Sequence, residues 1–211
     1  MTSLPADVSS AVAAAYDARA ATYDESAMHR DLAAEVAAFC SLDAPRDVLD
    51  VATGTGLVLR ALAASRPRPR GMTGVDLSPD MLAVARRELP GAAFVRADAA
   101  ALPVADRSVD LVTCVTALQL MPRRDLVLAE WARVLRPTGR AVTATFTGFG
   151  RPARPRRDHP VEHDAVSTPA RIAALAAPAG LRLRRHAAWR HADGDAFLLA
   201  ELEVVSPEVA R

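Results

Sequence analysis

A short apolar segment that passes through an acid into a glycine-rich turn gives the first indication of how this chain folds. Residues 48–56 read VLDVATGTG, and an apolar segment that we expect to be helical, residues 57–64, follows directly. Glycine lets the backbone approach a ligand closely, and the start of a helix directs free N–H groups at an anion. The pattern therefore predicts a strand, a tight turn and a helix that together cradle a nucleotide-like cofactor.

Two further acids follow at the ends of the next two apolar segments. Asp76 ends residues 71–76, where an acid at the end of the second strand of a Rossmann-like unit meets ribose hydroxyls, and Asp98 ends residues 93–98. Any one of these acids could instead cap a helix or lie in a solvated turn, and Ser78 after Asp76 is itself a plausible cap. Three acids at the ends of three successive strands predict one adenosine pocket along the carboxyl edge of a parallel sheet.

The class of cofactor depends on details of the glycine turn. The dinucleotide fingerprint is Gly-x-Gly-x-x-Gly, but Leu59 occupies the third glycine position here. Asp50, directly before the turn, is also out of place in that fingerprint. An NAD-dependent oxidoreductase is therefore retained only as an alternative.

Six segments in a fixed order give a more specific indication. They are VLDVATGTG at 48–56, GVDLSPDML at 74–82, ADA at 97–99, LP at 102–103, SVDLV at 108–112 and RVLRPTGR at 133–140. The ordered set resembles the class I S-adenosylmethionine-dependent methyltransferases of the ubiquinone/menaquinone-biosynthesis type, over roughly residues 15–147. The cofactor implied by the resemblance is S-adenosyl-L-methionine.

The resemblance also implies roles for the acids and the glycine turn. Asp50, Gly54 and Gly56 would surround the methionine end of the cofactor. Asp76 would hold both ribose hydroxyls, and Asp98 the adenine amino group. The full set of expected cofactor contacts is Tyr23, Asp50, Ala52, Thr53, Gly54, Gly56, Asp76, Leu77, Met81, Asp98, Ala99 and Thr116.

Three positions bear on how closely the chain follows the family pattern. Ala52 stands where the family often has glycine, a small change that should still permit close approach. The family often has histidine near Gln119, so a base at that position is in doubt. Tyr23 and Asp24 match a tyrosine–aspartate pair that closes over the cofactor in the family. The alternative for Tyr23 is an amphipathic core anchor with a wet hydroxyl.

Repeated strand–helix units predict an α/β fold with a parallel sheet and helices on both faces. The resemblance implies a Rossmann-like, seven-stranded, mostly parallel sheet whose last strand is antiparallel. We expect one domain over residues 1–211, divided into an N-terminal helical cap (1–42), a cofactor-binding core (43–146), a lid (147–167) and a C-terminal helix and hairpin (168–211). Helices are predicted over 9–21, 27–40, 55–65, 79–89, 123–136 and 168–178, and strands over 47–52, 71–76, 93–97, 109–115, 140–146, 181–190 and 196–205.

Composition limits the partners of the chain. A net charge of +1 and 4% aromatic residues provide neither a basic field nor stacking platforms for nucleic acid. The N-terminus lacks a basic-then-apolar signal pattern, and no apolar run approaches a membrane span. We therefore expect a cytoplasmic monomer or homodimer that takes a small-molecule acceptor and binds neither nucleic acid nor a membrane.

The connection after the strand at 140–146 carries the candidate catalytic residues. Residues 147–167 show no clear periodicity, and a connection of that length inside a compact domain is uncommon unless it is a lid or disordered. His159 and His163 are candidate general bases there, and the alternative is that they are solvated loop histidines. Together with Glu162 they are weak evidence for a metal, because no helical frame fixes their spacing, and we expect no metal site.

Methyl transfer from a sulfonium does not depend on such a base. Positioning the lone pair of the acceptor behind the methyl group supplies most of the acceleration, and a base is needed only where the acceptor holds its proton near neutral pH. Residues 116–119 lack the Asn-Pro-Pro-aromatic motif of enzymes that methylate planar amines. The sequence therefore predicts methyl transfer to a small-molecule acceptor. An S-adenosylmethionine-binding protein that does not methylate is the second alternative.

Overall fold

Two helices precede the sheet in the computed structural model, which describes residues 5–40, 43, 46–147 and 161–205. They are α1 (Pro5–Asp17) and α2 (Ala27–Cys40), and a short 3-10 turn at Tyr23–Glu25 lies between them. None of the helices in the described ranges combines the length and the apolar character that crossing a membrane requires.

Seven strands form one sheet with the order β3-β2-β1-β4-β5-β7-β6. The first five strands pair in parallel, and β7 lies antiparallel between β5 and β6. The predicted fold class, with its antiparallel last strand, is thereby confirmed. The strands are β1 (Asp47–Val51), β2 (Gly71–Asp76), β3 (Ala93–Arg96), β4 (Val109–Val115), β5 (Leu135–Phe146), β6 (Leu181–Arg190) and β7 (Ala196–Val204).

Helices cover both faces of the sheet. The remaining helices are α3 (Leu57–Ala64), α4 (Pro79–Glu88), α5 (Arg124–Val134) and α6 (Pro169–Ala176). Apolar residues of α2, α3 and α4 pack in one buried cluster, and those of α5 and α6 pack in a second cluster. Strand β1 shows why, because alternate side chains point to opposite faces: Val48 belongs to the first cluster, whereas Leu49 and Val51 belong to the second.

The predicted boundaries differ from the structure by more than two residues at two places. Helix α1 begins at Pro5 and ends at Asp17, four residues earlier at each end than the predicted span 9–21. Strand β5 begins at Leu135, where the sequence predicts the last turn of a helix. Pro137 and Gly139 cannot continue a helix, and Leu135 is already paired with Val109 of β4.

Strands β1 and β4 both end at a residue with left-handed backbone geometry. Ala52 has φ 55° and Thr116 has φ 53°, and neither is glycine. A residue with a Cβ pays about 1–2 kcal/mol in this region. The two residues turn the chain sharply out of the sheet at its carboxyl edge, where the loops after the strands meet.

We predict that Ala52→Gly leaves the protein as stable as the parent or stabilises it by up to about 1 kcal/mol, because relief of the left-handed strain offsets the backbone entropy of glycine. Ala97→Gly is the matched control. Ala97 is also half-buried at the end of a strand, packs against the same core cluster and has an ordinary φ. The control should lose about 0.5–1 kcal/mol. Equal losses for both variants in urea unfolding would show that Ala52 is not strained.

Candidate functional site

The first cavity lies at the carboxyl edge of the sheet and has a volume of about 890 Å³ including its open mouth. Its walls include Ala52, Asp76 and Thr116, where β1, β2 and β4 end. Helix α1 contributes Val12 and Tyr16. Eight of the expected cofactor contacts line this cavity: Tyr23, Ala52, Gly54, Asp76, Leu77, Asp98, Ala99 and Thr116.

Asp76 holds the glycine turn in place. Its Oδ2 accepts a hydrogen bond from Gly54 N at 2.8 Å, and its Oδ1 accepts one from Ser78 N at 2.9 Å. Burial raises the pKa of the Asp76 carboxyl, and these backbone donors oppose the rise. The carboxylate keeps lone pairs for further donors and faces the first cavity, as an acceptor for a ribose diol must.

Asp50 lies on a second, smaller cavity of about 410 Å³. The residue is 1% exposed, and its two oxygens accept hydrogen bonds from the hydroxyls of Thr53 and Thr113, each at 2.6 Å. Burial raises the pKa of Asp50 to about 6, although both hydroxyls oppose the rise. This cavity shares Tyr23, Ala52, Gly54 and Thr116 with the first one, so the two cavities are contiguous.

Gly56 and Met81, two of the expected cofactor contacts, are not among the described residues that line these two cavities. Gly56 precedes α3 with φ 79°, and a Cβ there would lie 3.4 Å from Ala85 Cβ and 3.5 Å from Phe94 Cζ. Its absent side chain therefore allows α3 to pack closely against its neighbours. Met81 is fully buried behind the turn, with its Sδ 3.9 Å from the position of a Cβ on Gly54. Both residues support the turn from behind.

Asp98 lies at the far end of the first cavity, where its side chain is 39% exposed. Its Oδ1 accepts a hydrogen bond from Ala100 N at 2.9 Å, and Arg123 Nη2 donates to its Oδ2 at 2.5 Å. Arg123 also lines the cavity, at the N-terminus of α5. Nothing in the local sequence singles out Arg123, because only the folded chain brings it to the end of β3.

The 3-10 turn at Tyr23–Glu25 covers the junction of the two cavities. The Tyr23 ring stacks on His29 with a centroid distance of 4.2 Å, and its hydroxyl hydrogen-bonds the Thr116 side chain. Burial raises the pKa of Tyr23. Asp24 fixes the turn to α3, since Thr55 Oγ1 donates to Asp24 at 2.5 Å and Arg60 forms an ion pair with it. This half of the predicted cap therefore rests directly on the glycine-turn helix.

A third cavity of about 720 Å³ adjoins the other two. It is lined by Tyr16, Arg19, Ser26, Met28, His29, Thr116, Gln119, Phe146, Asp193 and Asp195. Thr116 is shared by the three cavities in the part of the chain that the structure describes. The sequence analysis does not propose His29, Asp193 or Asp195 for the site, because they come from α2 and from the β6–β7 turn.

His163, one of the two candidate bases, is not among the described residues that line these cavities. His159 lies outside the described residues, as do most of the predicted lid residues. His163 begins a 3-10 turn and packs edge-on against Phe146, with ring centroids 5.6 Å apart. Phe146 itself lines the third cavity. Within the described ranges, no group of three His, Cys, Asp or Glu side chains has the arrangement of a metal site.

A family model described as a methyltransferase domain matches residues 48–139, which include the glycine turn and all three acids. Residues 48–139 are therefore similar to methyltransferase domains. The relatives agree. The chain is 37% identical over 140 residues to a malonyl-[acyl-carrier protein] O-methyltransferase of Hahella chejuensis, covering 65% of this chain and 50% of the relative. It is 40% identical over 112 residues to a demethylmenaquinone methyltransferase of Thermotoga maritima, covering 49% and 48%.

The chain therefore spans about half the length of the curated relatives that it matches. A solved complex between the Haloferax volcanii Trm112 methyltransferase activator and a methyltransferase shows the same fold with a TM-score of 0.71. That likeness covers 91% of this chain and 95% of the other at 22% identity, so it concerns the fold. The overall fold of this chain is thus shared with a solved structure of low sequence identity.

The pKa of Asp50 predicts how the unliganded protein responds to pH. Because the folded-state pKa is raised from 3.8 to about 6, the carboxyl stabilises the fold below pH 4 and this contribution is lost as pH rises through 6. Asp50→Asn removes the titration. The stability of the variant relative to the parent should therefore rise by roughly 2.5 kcal/mol between pH 4 and pH 7, at 1.36 kcal/mol per pKa unit and with the unfolded-state carboxyl already about half ionised at pH 4.

The measurement is urea unfolding of both proteins across this pH range. Asp80→Asn is the control, because Asp80 is exposed in the first turn of α4 and should give a nearly constant difference. A stability difference for Asp50→Asn that stays flat from pH 4 to pH 7 would contradict the burial of an ionisable Asp50.

Proposed function

We propose that this chain transfers a methyl group from S-adenosylmethionine to a small-molecule acceptor by in-line displacement. The observation that carries the proposal is the meeting of three cavities at Thr116. The first cavity has Asp76 and Asp98, the acids expected to bind adenosine. The second has the buried Asp50, which suits the cationic amino-acid end of the cofactor. The third cavity provides a separate space beside Thr116. Donor and acceptor can thus be held with their reacting atoms adjacent.

Asp76 and Asp98 bind the adenosine end in this proposal. The Asp76 carboxylate accepts hydrogen bonds from the two ribose hydroxyls while Gly54 N and Ser78 N fix its orientation. Asp98 accepts a hydrogen bond from the adenine amino group, and its ion pair with Arg123 holds the carboxylate in a fixed orientation. The apolar side chains of Leu77 and Val127 line the same cavity and suit the faces of a purine.

Asp50 acts at the other end of the cofactor. S-adenosylmethionine supplies an electrophilic methyl group on a positively charged sulfur and carries a further cationic amino group. Asp50 lies beside the second cavity with no arginine among the described residues that line it, so its negative charge is available to a positive ligand. Tyr23 and His29 cover this end and exclude water from it.

An NAD-dependent oxidoreductase is not supported. Leu59 stands where the third glycine of the dinucleotide fingerprint would be, and it is fully buried in the core between α3 and the sheet. A protein that binds the cofactor without methyl transfer has the same first and second cavities. Formation of S-adenosylhomocysteine on incubation with candidate acceptors separates the two, because only transfer yields that product.

The expected assembly state is a monomer or a homodimer. The protein is expected to bind neither nucleic acid nor a membrane and to act in the cytoplasm. The support is the balanced charge of the chain and its low aromatic content. Residues 147–167 are proposed to cover the acceptor. Size-exclusion chromatography with light scattering, with and without cofactor, tests the assembly state.

Asp76→Ala should weaken binding of S-adenosylmethionine by about tenfold to a hundredfold. The reason is that two charge-assisted hydrogen bonds, together worth roughly 1.5–3 kcal/mol, are lost to buried hydroxyls. Calorimetric titration of the folded variant measures this effect. Asp80→Ala is the control, since it lies four residues away and faces solvent. A dissociation constant for Asp76→Ala within twofold of the parent would show that Asp76 does not bind the ribose hydroxyls.

His163→Gln should keep turnover within a few-fold of the parent. The His163 ring packs on Phe146 and does not line the third cavity, so it is not placed to remove a proton from an acceptor there. Turnover is measured as S-adenosylhomocysteine formation, alongside cofactor affinity. A loss of about a hundredfold with unchanged affinity would instead make His163 the general base.

A further inference from the structure

Gln119 is a buried amide whose oxygen is not satisfied by the protein. The residue is 2% exposed and lines the third cavity. Its Nε2 donates to the carbonyl oxygen of Thr116 at 2.6 Å. Its Oε1 is buried and has no hydrogen-bond donor among the described residues. Buried polar atoms are almost always paired, so an unpaired one on a cavity wall indicates that a ligand supplies the partner.

The orientation of this amide is fixed by its partner. A backbone carbonyl can only accept, so the atom facing Thr116 O must be the NH₂ group and the remaining atom must be the oxygen. The backbone is held as well, because Glu162 N donates to Gln119 O at 2.9 Å. Gln119 therefore holds its Oε1 as a hydrogen-bond acceptor in a fixed orientation, directly beside Thr116, where the three cavities meet.

The other polar groups on the cavity wall agree with a donor-bearing ligand. The β6–β7 turn contributes the carboxyl groups of Asp193 and Asp195. Among the described lining residues, Arg19 provides the one guanidinium group. This guanidinium lies 5.3 Å and 5.6 Å from the ring centroids of Tyr16 and Tyr23. Met28 and Phe146 provide apolar surface. A carboxylate placed at Gln119 would face the lone pairs of Oε1, because the amide N–H of Gln119 is already donated to Thr116 O.

We propose that the third cavity is the acceptor subsite and that Gln119 selects its ligand. The acceptor is a neutral molecule with an apolar or aromatic body, and its O–H or N–H donates to Gln119 Oε1. This rests on the proposed methyl transfer. Transfer forms a bond between the acceptor oxygen or nitrogen and the methyl carbon, and it breaks the sulfur–methyl bond, whose electron pair returns to sulfur. The acceptor proton leaves to solvent, and Gln119 takes none.

The test measures binding of three ring probes to the full chain saturated with S-adenosylhomocysteine. Phenol and aniline carry a donor, whereas benzoate carries a carboxylate of similar size. Probes this small bind at millimolar strength at best, so ligand-observed NMR is the method. Phenol and aniline should bind the parent at least tenfold more tightly than benzoate. Benzoate binding as well as or better than both, or no binding of phenol and aniline at millimolar concentrations, would overturn the proposal.

Two variants separate recognition from a structural role. Gln119→Met keeps the length of the side chain without a polar atom, and should weaken phenol at least fivefold while leaving benzoate and S-adenosylhomocysteine affinity unchanged. Gln119→Glu should instead favour benzylammonium over phenol, a reversal that loss of packing does not produce. Glu162→Gln is the control, since its side chain is exposed and does not line the cavity. Unaltered probe preference in both Gln119 variants overturns the proposal.

Failure of this inference is distinguishable from failure of the proposed function. S-adenosylhomocysteine affinity is measured first, in the absence of probes. If the parent does not bind it, the cofactor assignment fails and the acceptor proposal fails with it. If it binds and the probes show the wrong order, the methyltransferase proposal stands and only the assignment of Gln119 and its ligand class is lost.

Discussion

The parallel pairing of β1 with β2 on one side and β4 on the other is the constraint on which the site depends. Asp50 in β1 is level with Gly74 in β2 and with Thr113 in β4. This register lets Thr113 donate to Asp50 across 63 residues of sequence. It also brings the carboxyl ends of the strands to one edge, where ligands of open α/β sheets bind. A slip of one residue would turn Asp50 to the opposite face of the sheet.

Local sequence determines the part of the site that lies within this register. The apolar segments, the glycine turn and the acids at strand ends predict an α/β fold with a parallel sheet, and they predict the placing of Asp50, Asp76 and Asp98 at one edge of that sheet. The strand boundaries near Ala52 and Leu135 are less predictable. Left-handed geometry at an alanine and an early change from helix to strand depend on pairing with neighbours.

Tertiary contacts determine the rest of the site, and the sequence carries little signal for them. Arg123 meets Asp98 from 25 residues away, and His29 reaches the site by stacking on Tyr23. Gln119 is visible in the sequence only as a departure from a family pattern, and its unpaired oxygen emerges only when its neighbours are in place. Conversely, Gly56 and Met81 belong to the matching segments, yet they act on packing behind the turn.

Among the described residues, dipoles and not a cation stabilise the buried carboxyl of Asp50. The hydroxyls of Thr53 and Thr113 donate hydrogen bonds to Asp50. Burial raises the pKa of Asp50, and the negative charge of Asp76 adds to that rise. An arginine in place of either threonine would neutralise the carboxylate and leave nothing for a positive ligand to offset. Because binding and protonation are linked, a cationic ligand in the second cavity favours ionised Asp50, and ionised Asp50 favours the cation by the same free energy. In the proposed function, the unfavourable burial of this acid is thus what gives the site its preference for positive charge.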